Sequence, residues 1–349
     1  MPNITNEMAG RTVFITGADG FIGSHLVDTL VEAGADVRAF VESTAHGALT
    51  NIPHHVHNVK ILRGNLTDKH SVFLAVKSLR DSNAKPYIIH LGAQAHVGES
   101  WERPIETLNT NVIGTFNLLQ SILDAGIEIE KFDYAGTSEE YGGNPDLINA
   151  KDESLHLNED TPVSPRSIYA TSKLAGDFLT MNFFYAYKLP AVVTRMFNNY
   201  GPRQSPRYIT GTIITQALQR DKIVLGNLTA RRDFCFVSDG IRGHIHTTVK
   251  GKPGEIYCYG YGKDISIKNW AELIVRVGKE NRLWGDKEII SVKERFRLGD
   301  SDVMRLRVGF QKLNQLTGWK PKVSWEEGIL KTIHWYKENK DKWFGLKDW

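Results

Sequence analysis

RTVFITGADGFIG, residues 11–23, decides how the rest of the chain is read. A β-branched and aromatic run breaks into glycines at Gly17, Gly20 and Gly23. HLVDTLVEAG (25–34) then carries apolar residues at helical spacing until Gly34 stops it. A strand, a glycine turn and a helix in that order form an anion cradle. Glycines allow the tight turn and the close approach of a pyrophosphate, while the helix start offers backbone N–H groups and the positive end of its dipole. Gly17, Gly20, Phe21, Ile22 and Gly23 are therefore candidate contacts to a dinucleotide.

The same alternation continues downstream. DVRAFV (36–41), VKILRG (59–64), PYIIHLGA (86–93) and KFDYAGTS (131–138) read as strands, and NVIGTFNLLQSILDAG (111–126) as an amphipathic helix. Strands alternating with helices of this length imply βαβ units, right-handed crossovers and a doubly wound parallel sheet of Rossmann type. Past Gly201 the pattern loosens into shorter strands and helices, ending in WEEGILKTIHWYKENKDKW (325–343). The expected division is a cofactor-binding domain over residues 1–195 and a smaller α/β substrate domain over 196–349. Residues 235–262 are expected to return in part to the first domain.

Composition narrows the function classes. The chain has 349 residues, 41% hydrophobic and 24% charged, which suits about two globular domains. Lys plus Arg is 43 against 40 for Asp plus Glu, and this net charge of +3 implies no nucleic-acid surface. No uncharged apolar run approaches the roughly 18 residues a membrane helix needs. The start lacks the cationic-then-apolar pattern of a secretory signal, so a cytoplasmic location is expected and the sequons at Asn3, Asn65 and Asn227 read as chance matches. Cys235 and Cys258 are too few for a disulfide framework or a structural zinc site; they read as free thiols filling the core. No metal is expected.

Two further motifs carry chemistry. TSEEYGG (137–143) follows the fifth strand, and YATSK (169–173) puts Tyr169 and Lys173 on one helical face. An ammonium beside a phenol lowers the phenol pKa and makes it a base near neutrality. Glu42 closes the second strand, where a carboxylate would take ribose hydroxyls and repel a 2′-phosphate, favouring NAD.

With TGADGFIG, HLGAQAHV, NVIGT, RMFNNYGPRQSPR, RRDFCFVSD and LTGWKP in order, these motifs make the chain resemble the extended short-chain dehydrogenase/reductases, specifically the nucleotide-sugar epimerases and dehydratases. The resemblance implies roles. Thr137 would hydrogen-bond the sugar O-4, Tyr169 would deprotonate it, and Lys173 would hold the nicotinamide ribose. Gly92 and Ala93 would back the cofactor, while Asn65 and Leu66 stand in its adenine-contacting segment, with Asn65 replacing the usual aspartate. Glu139 matches the 4,6-dehydratase carboxylate that takes the carbon 5 proton, with Ser138 assisting loss of the carbon 6 hydroxyl. Glu140 stands where that family commonly has an apolar residue and is given no role.

For the sugar nucleotide, Asn198, Arg232 and Arg297 match the family's diphosphate contacts, and Arg203 and Arg207 are weaker candidates. Arg231 reads as a surface charge, and the aromatic tail as amphipathic packing. Segments 90–97, 203–218 and 294–307 resemble GDP-mannose and GDP-N-acetylglucosamine 4,6-dehydratases, with Leu298 in place of a proline and an insertion over 146–160. The expectation is an NAD-dependent nucleotide-sugar 4,6-dehydratase working as a homodimer or a dimer of dimers, paired through helices beginning near Asn109 and Tyr169. UDP-glucuronate decarboxylation and 4-epimerisation are the rival chemistries, and a nucleotide-sensing module is the rival without catalysis.

Overall fold

The computed structural model describes residues 4–44, 47–142 and 156–345. Asn3 and residues 146–155 of the insertion lie outside that range. A seven-stranded parallel sheet forms the centre, from β1 (Thr12–Thr16), β2 (Asp36–Glu42), β3 (Lys60–Gly64), β4 (Tyr87–His90), β5 (Lys131–Thr137), β6 (Ala191–Met196) and β7 (Ile256–Tyr259). Their order across the sheet is β7-β6-β5-β4-β1-β2-β3. The direction of winding reverses between β1 and β4, so a crevice opens at the carboxyl ends of the strands there.

Alternation along β1 shows why this sheet is buried on both faces. Val13 and Ile15 point into a core shared with Leu26, Val27 and Leu30 of α1 (Phe21–Glu32). Phe14 between them joins the opposite core, with Val72 and Val76 of α2 (Lys69–Lys77) and Leu118 and Ile122 of α3 (Gly114–Asp124). A parallel sheet covered by helices on both faces needs near-continuous apolar strands, and every residue of β1 is buried. Arg38, inside β2, is held by Asp36 (2.7 Å) and Asp81 (2.8 Å).

NVIGTFNLLQSILDAG does not form one regular helix. A π-helical turn over Asn109–Ile113 precedes α3. There the Asn111 side chain turns to Gln94 O (2.9 Å) and Ser172 Oγ (2.8 Å), while its carbonyl accepts from Thr115 Oγ1 (2.6 Å). π-turns of this kind often accompany functional sites. The helix α4 (Ile168–Tyr187) is capped by Ser167, whose Oγ accepts from Ala170 N–H at 3.0 Å. Beyond β6, Asn198–Tyr200 pairs with Phe234–Phe236, Lys222–Leu225 with Glu288–Ser291, and Arg231–Arg232 with Ile265–Ser266. Cys235 and Cys258 are buried free thiols. Among the described residues no helix is long and apolar enough to cross a membrane.

Candidate active site

Carboxyl ends of β1, β4, β5 and β6 open into one cavity of about 980 Å³, closed on its far side by the segments around residues 203–232 and 295–302. Gly17, Gly20, Phe21, Ile22, Gly23, Gly92 and Ala93 line it, as do Thr137, Ser138, Glu139, Tyr169 and Lys173. Asn198, Arg203, Arg232 and Arg297 complete the set from the other side. Three sequence candidates are not on this wall. Glu42 and Asn65 are exposed at the ends of β2 and β3, and Leu66 is buried behind Gly92. The Asn65 side-chain oxygen Oδ1 is taken up locally by Thr67 N–H (2.9 Å) and its hydroxyl (2.8 Å).

The glycine turn fits a dinucleotide diphosphate. Gly17 has φ +66°, and a Cβ there would stand 2.9 Å from Gly92 Cα; a Cβ on Gly23 would overlap Gly17 O. Helix α1 begins at Gly20 with no side-chain cap, so the first-turn N–H groups face the cavity free for an anion. Asp19 is not one of the anion contacts, because its carboxylate accepts from the N–H groups of Thr50, Asn51 and Ile52. Thr16, His90 and Thr115 pin the cradle's other wall. Thr16 Oγ1 accepts from Gly92 N–H (3.0 Å) and bonds His90 Nδ1 (2.6 Å), and His90 Nε2 reaches Thr115 Oγ1 (2.9 Å). Burial, assisted by the Lys173 charge, pulls the His90 pKa down to about 3, so this ring is neutral.

Thr137 ends β5 and caps the turn Ser138–Tyr141. Its Oγ1 accepts from Glu139 N–H (3.3 Å), while Glu140 Oε1 accepts from Thr137 N–H (2.9 Å). That reciprocal capping box fixes the Thr137 hydroxyl at the cavity. Tyr169 does not have the lowered pKa expected of it. Burial pushes the phenol above its ordinary value, Tyr208, Glu139 and Glu140 add to the rise, and a hydrogen bond with Thr137 opposes it. The Lys173 ammonium lies 4.2 Å over the Tyr134 ring.

Glu139 is buried and clamped at both oxygens by Arg297, at 3.1 and 3.2 Å. Burial alone would raise its pKa, but the Arg297 and Arg232 charges outweigh it and hold the carboxyl below its usual range. Arg297 thus sits on the carboxylate rather than open toward a diphosphate. Arg203 likewise turns its guanidinium to Asp28 (2.7 Å), and Arg207 to Glu99 (3.0 Å). Arg231 is not a bare surface charge; it pairs with Asp264. Arg232 is buried with Nη1 donating to Val303 O (2.6 Å). The Asn198 side-chain oxygen is buried with no hydrogen-bond partner among the described residues.

A family model described as GDP-mannose 4,6 dehydratase matches residues 14–332. The chain belongs to the GDP-mannose 4,6-dehydratase family. It is 32% identical over 340 residues to dTDP-D-glucose 4,6-dehydratase of Mus musculus, covering 95% of this chain and 90% of that one. Among solved structures, dTDP-glucose 4,6-dehydratase from Bacillus anthracis, in complex with NAD, superposes with a TM-score of 0.81 at 27% identity, covering 97% of this chain and all of that one. UDP-glucose 4-epimerase from Thermus thermophilus, also in complex with NAD, gives a TM-score of 0.80 at 28% identity, with 94% and 99% coverage.

The sequence-based reading of an NAD-dependent 4,6-dehydratase agrees with the family and with these relatives. Sequence reasoning missed two features of this family member. Trp335 and Trp343 of the aromatic tail line the cavity, although the tail's pattern indicates packing alone. Glu140 supports Thr137 from beneath; the signal was available, since Thr137-Ser138-Glu139-Glu140 has the T-x-x-E spacing of a capping box.

Proposed function

We propose that this chain dehydrates a nucleotide-diphosphate hexose to a 4-keto-6-deoxy sugar, with NAD as its resident cofactor. The observation that carries the reading is the Glu139 carboxylate on the same cavity wall as Thr137, Tyr169 and Lys173. NAD, when bound, accepts hydride from carbon 4 and returns it to carbon 6. Thr137 Oγ1 hydrogen-bonds the carbon 4 oxygen and Tyr169 takes its proton, with Lys173 turning from the Tyr134 ring toward the phenol and the cofactor ribose. The ketone at carbon 4 acidifies the carbon 5 proton, Glu139 removes it, and Ser138 assists departure of the carbon 6 hydroxyl. Gly17, Gly20 and the first turn of α1 hold the cofactor diphosphate, Gly92 and Ala93 back it, and Glu42, Asn65 and Leu66 serve its adenosine end. Asn198 and Arg232 hold the sugar diphosphate, while Arg297 stays on Glu139 and Arg203 on Asp28. Residues 1–195 thus mainly serve the cofactor and residues 196–349 mainly the sugar.

Exposed apolar side chains on adjoining helical segments support pairing of two chains: Ile105 (68%), Ile113 (48%), Phe116 (40%) and Phe178 (53%). A stripe of this kind is usually covered by a partner. We assign the protein a homodimer or a dimer of dimers, in a reducing, cytoplasmic compartment that suits its two free thiols.

One observation favours a second chemistry. A guanidinium beside Glu139 would also receive a carboxylate at carbon 6, as UDP-glucuronate decarboxylation requires. The test is incubation of the purified protein with a panel of nucleotide sugars, read by mass spectrometry. Loss of one water supports dehydration. Loss of carbon dioxide, or a changed sugar of unchanged mass, overturns it.

A further inference from the structure

Lys173 shares a buried cluster with three ionisable side chains behind the reacting residues, Glu140, Asp177 and Arg195; relative exposures are 4, 0, 0 and 3% in that order. Arg195, on β6, donates from Nε (2.9 Å) and Nη2 (2.7 Å) to Asp177 Oδ2 on α4, and from Nη1 to the Tyr141 hydroxyl (2.9 Å). Glu140 Oε2 lies 2.8 Å from the same Arg195 Nε, whose single hydrogen is already given to Asp177. Glu140 Oε2 and Asp177 Oδ1 therefore remain buried acceptors with no hydrogen-bond donor among the described residues. Two carboxylates around one guanidinium, out of water, repel each other, and one proton between them relieves both the repulsion and the unmet hydrogen bonding.

We propose that Glu140 and Asp177 share one proton, and that Glu140 is thereby a positioning residue of the active centre. The protonated pair leaves one negative charge against the two cations Lys173 and Arg195. The net positive charge favours a phenolate at Tyr169, while Glu140 Oε1 still holds Thr137 N–H. Losing the shared proton would cancel that charge and weaken Tyr169 as a base. Directions agree: burial raises both Glu140 and Asp177, the Asp177 charge adds to the rise at Glu140, a hydrogen bond from Glu140 opposes it at Asp177, Arg195 opposes it at both, and burial lowers Lys173. The remaining titratable groups facing the cluster are Tyr134 on β5, Tyr141 in the turn, Tyr169 on α4, Cys258 on β7, neutral His90 on β4, and Glu139 with its arginines.

The consequence for Tyr169 rests on the proposed function; the shared proton does not, and its test adds no substrate. Infrared difference spectra of the full chain, in water and heavy water at neutral pH, read buried protonated carboxyl groups directly. A deuteration-sensitive carboxyl band is expected in the wild type and should be lost in both Glu140→Gln and Asp177→Asn. Gln keeps the acceptor for Thr137 N–H and donates to Asp177 in the proton's place, so thermal stability at neutral pH should hold in Glu140→Gln and fall in Glu140→Leu. Where Glu140→Gln does not fold, Asp177→Asn alone decides, because Glu140 then ionises against Arg195 and the band goes. A wild type without the band overturns the proposal, as does a band that survives either substitution.

Discussion

Arg297 grips Glu139 at both carboxylate oxygens, Nη1 3.1 Å from Oε2 and Nη2 3.2 Å from Oε1, across 158 residues of chain. Charge-assisted two-point pairs of this kind are among the stronger polar contacts. Together with the Arg232 charge, this one holds down the pKa of a carboxyl that burial alone would raise.

The first prediction follows from the sign of that balance. Glu139 works as a base only when ionised, and Arg297 with Arg232 lowers its pKa. In Arg297→Ala burial regains the upper hand, and an opposite charge at this range is worth about one to three pH units. Turnover at mildly acid pH should therefore be lost in the variant and recovered as pH rises. A pH profile of kcat whose acid limb stays put in Arg297→Ala would contradict the assignment of Glu139 as the base.

Gly17→Ala tests the cradle. Its φ of +66° costs a non-glycine residue about 1–2 kcal/mol, and the new Cβ would press on Gly92 Cα at 2.9 Å. The expected result is a folded protein with a lowered Tm that releases far less NAD on denaturation than the wild type. Wild-type cofactor content in the variant would remove the glycine turn from the binding site.

Much of this was legible in the sequence, for identifiable reasons. Strand, glycine turn and helix are local patterns, so β1 and α1 stand where residues 11–34 indicate. Tyr169 and Lys173 share a helix, and their spacing alone puts them on one face. The Arg297–Glu139 pair was not legible, because no periodicity links side chains 158 residues apart. Nor was the direction of the Tyr169 pKa: a neighbouring ammonium was visible in YATSK, but the burial that outweighs it is a property of the packed cavity. Glu42 shows a third limit. Its place at the end of β2 was readable, and its separation from the cavity wall was not.

The proposed pairing of two chains is tested at the apolar stripe. Phe178 is 53% exposed and Ile113 48%, and a charge at either would be buried unpaired in a four-helix interface. Phe178→Asp should shift the protein toward monomer in light scattering at micromolar concentration, with the far-ultraviolet circular dichroism unchanged. A wild type that is already monomeric under those conditions would rule the interface out.

If Glu139 removes the carbon 5 proton after oxidation at carbon 4, a single substitution separates the two steps. Glu139→Gln keeps the shape and leaves Thr137, Tyr169 and Lys173 in place, but it lacks the base. The measurement is a single turnover of the holoenzyme with the nucleotide hexose that the wild type dehydrates, following reduced-cofactor absorbance and 6-deoxy product together. With Glu139 as the base, reduced cofactor builds up while product formation falls about 10²–10⁴-fold. Product formation at the wild-type rate, with no build-up of reduced cofactor, would contradict it.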